Sequence, residues 1–267
     1  MRSITGFILL GLIVAQPTYS GEFEVLYQSD TAKVVRDKSY GTNIGIFATK
    51  RGVVIIDPTA EDADLPKLND LIQNSFQTEK KYLLNTHSHS DHTGGNAFFQ
   101  QQGFTLIDSP QGLKELGVIK HTQAVSHTAN DNILYHPTSN ILFTGDIYTT
   151  NWHPTFYAGG LTGFNKAVDL LLSIGDQNTL IVPGHGKPTS KRELEEHRIQ
   201  TFALVERVKI LNQAGKSVEQ IKNDAKIKRL LAQFNLEGRQ PFLPERALTR
   251  FIERTLSVVA HYPENHN

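Results

Sequence analysis

The chain has no cysteine. That absence removes disulfide staples, thiol nucleophiles and thiolate zinc ligands together, so any metal or catalytic chemistry must rest on nitrogen and oxygen donors. Neither sign of charge is in excess, because 27 Lys and Arg balance 27 Asp and Glu. With no net field to draw it to a polyanion, nucleic acid and anionic membrane surfaces are excluded as expected partners. Internal repeats, low-complexity tracts and obvious linkers are also missing. At 267 residues, 39% hydrophobic and 20% charged, the sequence fits a globular chain able to bury one large core.

The one N-terminal apolar run, Ile4 to Ala15, is short of the ~20 residues that a spanning helix needs. It follows Arg2 and leads into Gln16-Pro17-Thr18-Tyr19-Ser20, with small residues at Thr18 and Ser20. This is the pattern of an export signal cleaved before Gly21. The expectation is a signal peptide over residues 1–20 and a single domain over 21–267, secreted or periplasmic, with no stable membrane insertion of the mature chain.

What the sequence does contain is histidine, 11 in all, and its densest cluster is Thr86-His87-Ser88-His89-Ser90-Asp91-His92-Thr93-Gly94-Gly95-Asn96. His87, His89, Asp91 and His92 fall within six consecutive positions, directly after the apolar Tyr82-Leu83-Leu84. On an extended chain, residues two apart point the same way, so His87 and His89 are expected to present their rings together. Gly94-Gly95 is expected to let the backbone pass close to whatever is bound. Neutral imidazole and carboxylate at this spacing suit a borderline divalent ion such as zinc.

Around this cluster the pattern is mixed α/β. Short β-prone runs occur at Glu24 to Tyr27, Ala32 to Val35 and Asn43 to Phe47. Val53 to Ile56 is a continuous apolar run of the kind found in strands covered on both faces. Asp62 to Phe76 carries apolar residues at helical spacing, and Lys81 to Asn85 is a strand ending at the histidine cluster. Further strands are expected at Phe104 to Ile107, Asn132 to Tyr135, Asn140 to Phe143 and Asn178 to Pro183. Ser109-Pro110 starts a helix, and Gly163 to Ser173 is another. Ser190-x-x-Glu193 and Ser217-x-x-Gln220 match capping boxes, and Leu243 to His261 forms a last helix. The basic run Lys222 to Arg229 reads as a solvated helix face. Three more metal-competent residues lie at strand ends or in loops beside strands: His127, Asp146 and His185. Asp57, ending a buried strand, is expected to tie down a loop by hydrogen bonds.

The ordered set Thr-His-Ser-His-Ser-Asp-His-Thr-Gly-Gly-Asn, Ser-His-Thr, Phe-Thr-Gly-Asp and Val-Pro-Gly-His-Gly resembles the metallo-β-lactamase superfamily of binuclear metallohydrolases, over about Asn43 to Lys187. The resemblance implies a four-layer αββα sandwich, here closed by C-terminal helices over about 190–262. It implies two Zn2+ ions, with Mn or Fe as substitutes. His87, His89 and His127 would hold the first and Asp91, His92 and His185 the second, with Asp146 bridging. His121 is the alternative to His127. A hydroxide shared by the two ions would attack a small-molecule substrate, with Asp91 as the catalytic residue that orients it and takes its proton.

The sequence departs from parts of that family. Asp146 is present and cysteine absent, so the chain is more similar to the general hydrolase branch than to the antibiotic-resistance branch. The Asp-Ile-Tyr segment after Asp146 differs from the glutathione-thioester hydrolases, and His89 stands where diiron oxidoreductases carry an acid. The expected function is therefore an exported zinc hydrolase of a small ester, lactone, thioester or amide. The alternatives are a β-lactamase, an iron-dependent oxidoreductase on the same fold and a non-catalytic metal binder, the last opposed by the full ligand set. His153, Tyr148, Trp152 and Tyr157 are candidates for lining a substrate pocket, and Lys187 for meeting an anion. His136, His197, His261 and His266 have no motif context and are expected at the surface.

Overall fold

The structure, a computed structural model, describes residues 22–117 and 119–261; the expected signal peptide and His266 fall outside them. Two sheets carry the fold. The first is six-stranded in sequence order: β1 (Phe23–Gln28), β2 (Ala32–Asp37), β3 (Asn43–Thr49), β4 (Gly52–Ile56), β5 (Lys81–Leu84) and β6 (Thr105–Leu106). Strands β1 to β4 form an antiparallel meander, whereas β4, β5 and β6 run parallel. Helix α1 (Leu65–Ser75) makes the β4–β5 crossover; α2 (Ser90–Thr93) and α3 (Asn96–Gln101) lie between β5 and β6. After α4 (Pro110–Leu116) comes the second sheet. Its strands β7 (Lys120–Ala124), β8 (Asp131–His136), β9 (Ile141–Phe143) and β10 (Leu180–Val182) are ordered β10-β9-β8-β7. Helix α5 (Gly160–Ser173) precedes β10, and α6 (Lys191–Gln213), α7 (Val218–Lys222), α8 (Ala225–Ala232) and α9 (Glu245–His261) complete the described chain.

Side-chain alternation along the strands explains the layering. Val34, Phe47, Val54, Ile56 and Leu84 of the first sheet meet Leu134, Ile141, Phe143 and Val182 of the second between the sheets. Their neighbours Val35, Ile46, Ile55 and Leu83 point the other way, onto Leu65, Leu68 and Ile72 of α1 and Phe99 of α3. On the far side, Ile133, Leu142 and Ile181 pack under Phe164 and Leu171 of α5, Leu204 and Val208 of α6, and Phe251 of α9. Three apolar layers between four structural layers make the expected αββα sandwich, with the C-terminal helices forming its last layer.

The helix starts follow their capping chemistry. Ser109 accepts from the Gly112 backbone N–H, with Pro110 opening α4. Ser190 and Glu193 form a reciprocal capping box at α6, as do Ser217 and Gln220 at α7. The basic run is a solvated helix face in its α8 part, where Lys226, Lys228 and Arg229 are exposed. The correction is Lys222, which lies before the cap Asp224, is buried between Glu219 and Glu245, and ties α7 to α9 rather than facing water. Among the described residues no helix is long and apolar enough to cross a membrane.

Candidate metal centre

The site lies at one edge of the sandwich, where loops leave β5, β9 and β10. After β5 the chain runs through His87, His89, Asp91 and His92, and α2 turns it sharply. This short helix splits the motif in two. His87 and His89 join His127 and Asp146 in one cluster, and Asp91 and His92 join His185 in another; within each, the candidate ligand atoms lie within 4.8 Å of one another. His127 comes from the loop before β8, Asp146 from the 3-10 turn Gly145–Ile147 after β9, and His185 from the loop after β10. All seven residues chosen from the sequence are brought together. His121 is not: it sits in β7 with its Nε2 2.8 Å from Asn132 Oδ1.

Asp146 stands between the clusters. Its Oδ1 is 3.4 Å from His92 Nε2 and 3.6 Å from His185 Nε2, while its Oδ2 is 3.6 Å from His127 Nε2. In the second cluster Asp91 Oδ2 is 3.1 Å from His185 Nε2 and 3.8 Å from His92 Nε2. In the first, His127 Nε2 and His89 Nδ1 are 3.0 Å apart. Two atoms each about 2.0–2.1 Å from one zinc ion are separated by no more than about 4.2 Å, so these distances fit shared centres.

Three atoms at the middle of the site, His87 Nε2, His92 Nε2 and Asp146 Oδ1, are buried and have no hydrogen-bond partner. Buried polar atoms are rarely left so. Their convergence, with the opposite nitrogens of both rings already bonded, fits divalent ions held by N and O donors.

The outer support is specific. Asp57 closes β4 with φ +54° and is almost completely buried. Its Oδ1 accepts from the Thr86 backbone N–H at 2.7 Å, and its Oδ2 from Thr86 Oγ1 at 2.6 Å and His92 Nδ1 at 2.9 Å. Thr86 Oγ1, having donated to Asp57, accepts from His87 Nδ1 at 3.1 Å. One carboxylate therefore fixes a ring in each cluster and turns both Nε2 lone pairs toward the centre. The expectation that Asp57 ties down a loop holds, and the tie reaches further than a loop.

His127 is held by Asp131, which sequence reasoning passed over. Its carboxylate accepts the backbone N–H groups of Ser126 at 3.1 Å, His127 at 2.8 Å and Thr128 at 3.0 Å. His127 Nδ1 donates to the Thr155 carbonyl at 3.3 Å, leaving Nε2 for the centre. The signal for Asp131 was its place four residues after His127, where an Asp can gather consecutive amides. The His185 loop is pinned by Asn43 Nδ2, which donates to the carbonyls of Pro183 at 2.8 Å and Gly186 at 2.7 Å. Gly184 is required there, because a Cβ would overlap Asp146 Oδ1. Gly94 and Gly95 let the chain pass close to the backbone of Pro58 to Glu61, where a Cβ on either would overlap it.

Charge follows the same division. Burial first, then His92, depresses His87 to about 3, so its imidazole is neutral and ligand-ready at pH 7. Burial would raise Asp91, but the His185 hydrogen bond and nearby His92 bring it to about 2. Burial also opposes charge on His92 and His185, yet Asp57 and Asp146 beside the first, and Asp146 and Asp91 beside the second, raise both. The carboxylates thus demand cations at the second cluster.

Beside the centre opens a cleft of about 1000 Å³, bounded in part by Trp152, His153 and Tyr157. Tyr148 does not reach it; it is buried with its ring 4.8 Å from His197. Lys187 is exposed and lies off the cleft wall. His136 and His197, expected at the surface, are buried, His136 against Phe47 at 4.6 Å and His197 between Tyr148 and Phe234. His261 ends α9, and its side chain lies outside the described set.

A family model described as the metallo-beta-lactamase superfamily matches residues 39–115, the part that holds His87 to His92. Metallo-beta-lactamase IND-1 of Chryseobacterium indologenes is 24% identical over 181 residues, covering 58% of this chain and 76% of that protein. The solved DIM-1 metallo-beta-lactamase matches with a TM-score of 0.56 at 19% identity, over 67% of this chain and 96% of that one. The chain is similar to the metallo-β-lactamase superfamily in its metal-motif segment and shares that family's fold. It is also 26% identical over 172 residues to a probable hydroxyacylglutathione hydrolase of Schizosaccharomyces pombe, covering 58% of this chain. It spans 66% of that protein's length, just under two thirds. A solved metallo-beta-lactamase from Pontibacter korlensis gives a TM-score of 0.55 at 22% identity, covering 67% and 98% of the two chains. At such identities the solved structures establish the superfamily's fold.

Proposed function

We propose that the chain is an exported, zinc-dependent hydrolase that cleaves a small ester, lactone, thioester or amide. The observation that carries this reading is the placement of the two Asp146 oxygens, one facing each histidine cluster, beside an open cleft. His87, His89 and His127 would hold one ion, Asp91, His92 and His185 the other, and Asp146 both. When bound, such a pair supplies Lewis acidity at a substrate oxygen and a water acidified toward neutrality.

The chain's own residues do the rest. Asp57 and Thr86 keep His87 and His92 in the tautomer that leaves Nε2 free. Asp91 is half-buried at the cleft wall and held ionised, so it can orient a water and take its proton. Its second oxygen could then return that proton to the leaving group.

The likeness to IND-1 favours β-lactam hydrolysis as a second reading, opposed by Asp146 and the missing cysteine. Elemental analysis of aerobically purified protein, with a panel of ester, lactone, thioester and β-lactam substrates, separates the readings. Two zinc ions per chain with ester or thioester turnover is the expected result. Nitrocefin as the best substrate would favour the β-lactamase, bound iron with no hydrolysis the oxidoreductase. N-terminal sequencing of secreted protein, expected to start at Gly21, tests export.

A further inference from the structure

The cleft beside the metal centre is walled by five acidic side chains, and each is already engaged. Glu24 and Glu237 both pair with Arg36. Asp37 accepts the backbone N–H groups of Ser39 and Tyr40 and the Thr59 hydroxyl. Asp91 and Asp146 belong to the centre. The same walls carry five basic side chains, Arg36, Lys38, Arg239, Arg250 and Arg254, and three of them are not matched to those acids. Among the described residues Arg239, Arg250 and Arg254 have no carboxylate within ion-pair distance. Arg239 donates to the Asn151 carbonyl at 3.1 Å, and Arg254 lies over the Tyr157 ring at 4.9 Å.

Their placement is fixed by packing. Phe251 and Ile252 are buried on the core face of α9, and the Phe251 ring lies 4.5 Å from that of His153. Arg250 and Arg254, one helical turn apart, are thereby left at the cleft and exposed. Arg254 also hydrogen-bonds the Tyr157 side chain, and the remaining donors of its five-donor guanidinium are available to an anion. What sets these three arginines apart is that they line the cleft without a carboxylate partner, whereas the acids on the same walls are engaged elsewhere.

Building on the hydrolase reading, we infer that the substrate carries an anionic group remote from the bond that is cleaved, and that Arg250 and Arg254, with Arg239, bind that group. The anion is read from α9, not from Lys187 after β10, which lies off the cleft.

A matched pair of probes tests this: the monoanilide of adipic acid, which is anionic, and hexanoic anilide, its neutral counterpart. Their binding to the zinc-loaded protein is measured by calorimetry, beside turnover of the corresponding 4-nitrophenyl esters. The anionic anilide should bind about 10- to 100-fold more tightly than the neutral one. That preference should vanish in the R250A/R254A double variant with zinc content unchanged, and return in part in R250K/R254K. Equal affinity for the two anilides, no binding of the anion, or a preference surviving in R250A/R254A would overturn the inference. If the arginines govern anilide binding but neither ester is turned over, this inference stands and ester hydrolysis falls. Ester turnover without charge preference has the opposite meaning.

Discussion

The two halves of the metal centre are built differently. In the cluster of Asp91, His92 and His185, His92 is completely buried and tied to Asp57, while the His185 loop is clamped by Asn43. In the other, His87 and His127 are anchored through Thr86, Asp131 and the Thr155 carbonyl, but His89 is exposed and, among the described residues, its ring pairs and hydrogen bond are with the site histidines His87 and His127. One cluster is a rigid socket; the other has one free wall. Neighbours in the sequence therefore need not share an ion, because α2 sends His89 and Asp91 to opposite sides. The difference also predicts unequal affinities, since outer supports set how far ligands must be reorganised on binding.

The strongest way to break this comparison is to remove the group common to both halves. Asp146→Ala should abolish binding of both ions and lower kcat/KM by more than the roughly 100-fold that loss of an outer support costs. His89→Ala should lose one ion and keep the other, as counted by elemental analysis after dialysis. If D146A keeps either ion tightly, Asp146 is not the bridge.

Asp57 comes next. It touches both clusters, so Asp57→Ala should weaken both ions by about 10- to 100-fold and destabilise the fold by leaving His92 Nδ1 and the Thr86 amide unpaired. Chelator competition and thermal unfolding measure the two effects. Asp131→Ala sharpens the contrast. It should weaken the His127 cluster alone by a similar 10- to 100-fold, with the second ion's affinity unchanged. Equal loss at both ions would contradict the division of labour.

The smallest expected effect lies away from the centre. Burial depresses His136 to about 4 and His197 to about 3, below the ordinary 6.5 of an unfolded chain. The unfolded state takes up these protons first, so stability is fullest above about pH 6.5 and falls as the pH drops toward 4. Each group contributes a slope of at most about 1.4 kcal/mol per pH unit. His197→Phe should flatten that slope in denaturant titrations between pH 6.5 and 4; an unchanged slope would mean His197 is not buried neutral.

Most of the sandwich was legible because burial on two faces leaves continuous apolar runs, as in Val53 to Ile56, and because serine caps announce α4, α6 and α7. Strand β7 was not. Lys120-His121-Thr122-Gln123-Ala124 carries no alternation to read; among the described residues it is an edge strand paired only to β8, with His121 to Ala124 half-buried or exposed. The metal-competent residues were legible through their chemistry and order. Their supports were less so: Asp131 acts on backbone amides, a role that leaves no compositional trace. His136 and His197 were misplaced for a related reason. A neutral imidazole packs like an aromatic ring, and nothing in the sequence separates it from a solvated one.

The central claim, that two clusters share Asp146, is tested most directly by anomalous diffraction from crystals of the zinc-loaded protein. The account predicts two peaks about 3.5–4 Å apart. One should lie within bonding distance of His87, His89 and His127, the other of Asp91, His92 and His185, with one Asp146 oxygen on each. A single peak, or two peaks with Asp146 bound to neither or to only one, would contradict it.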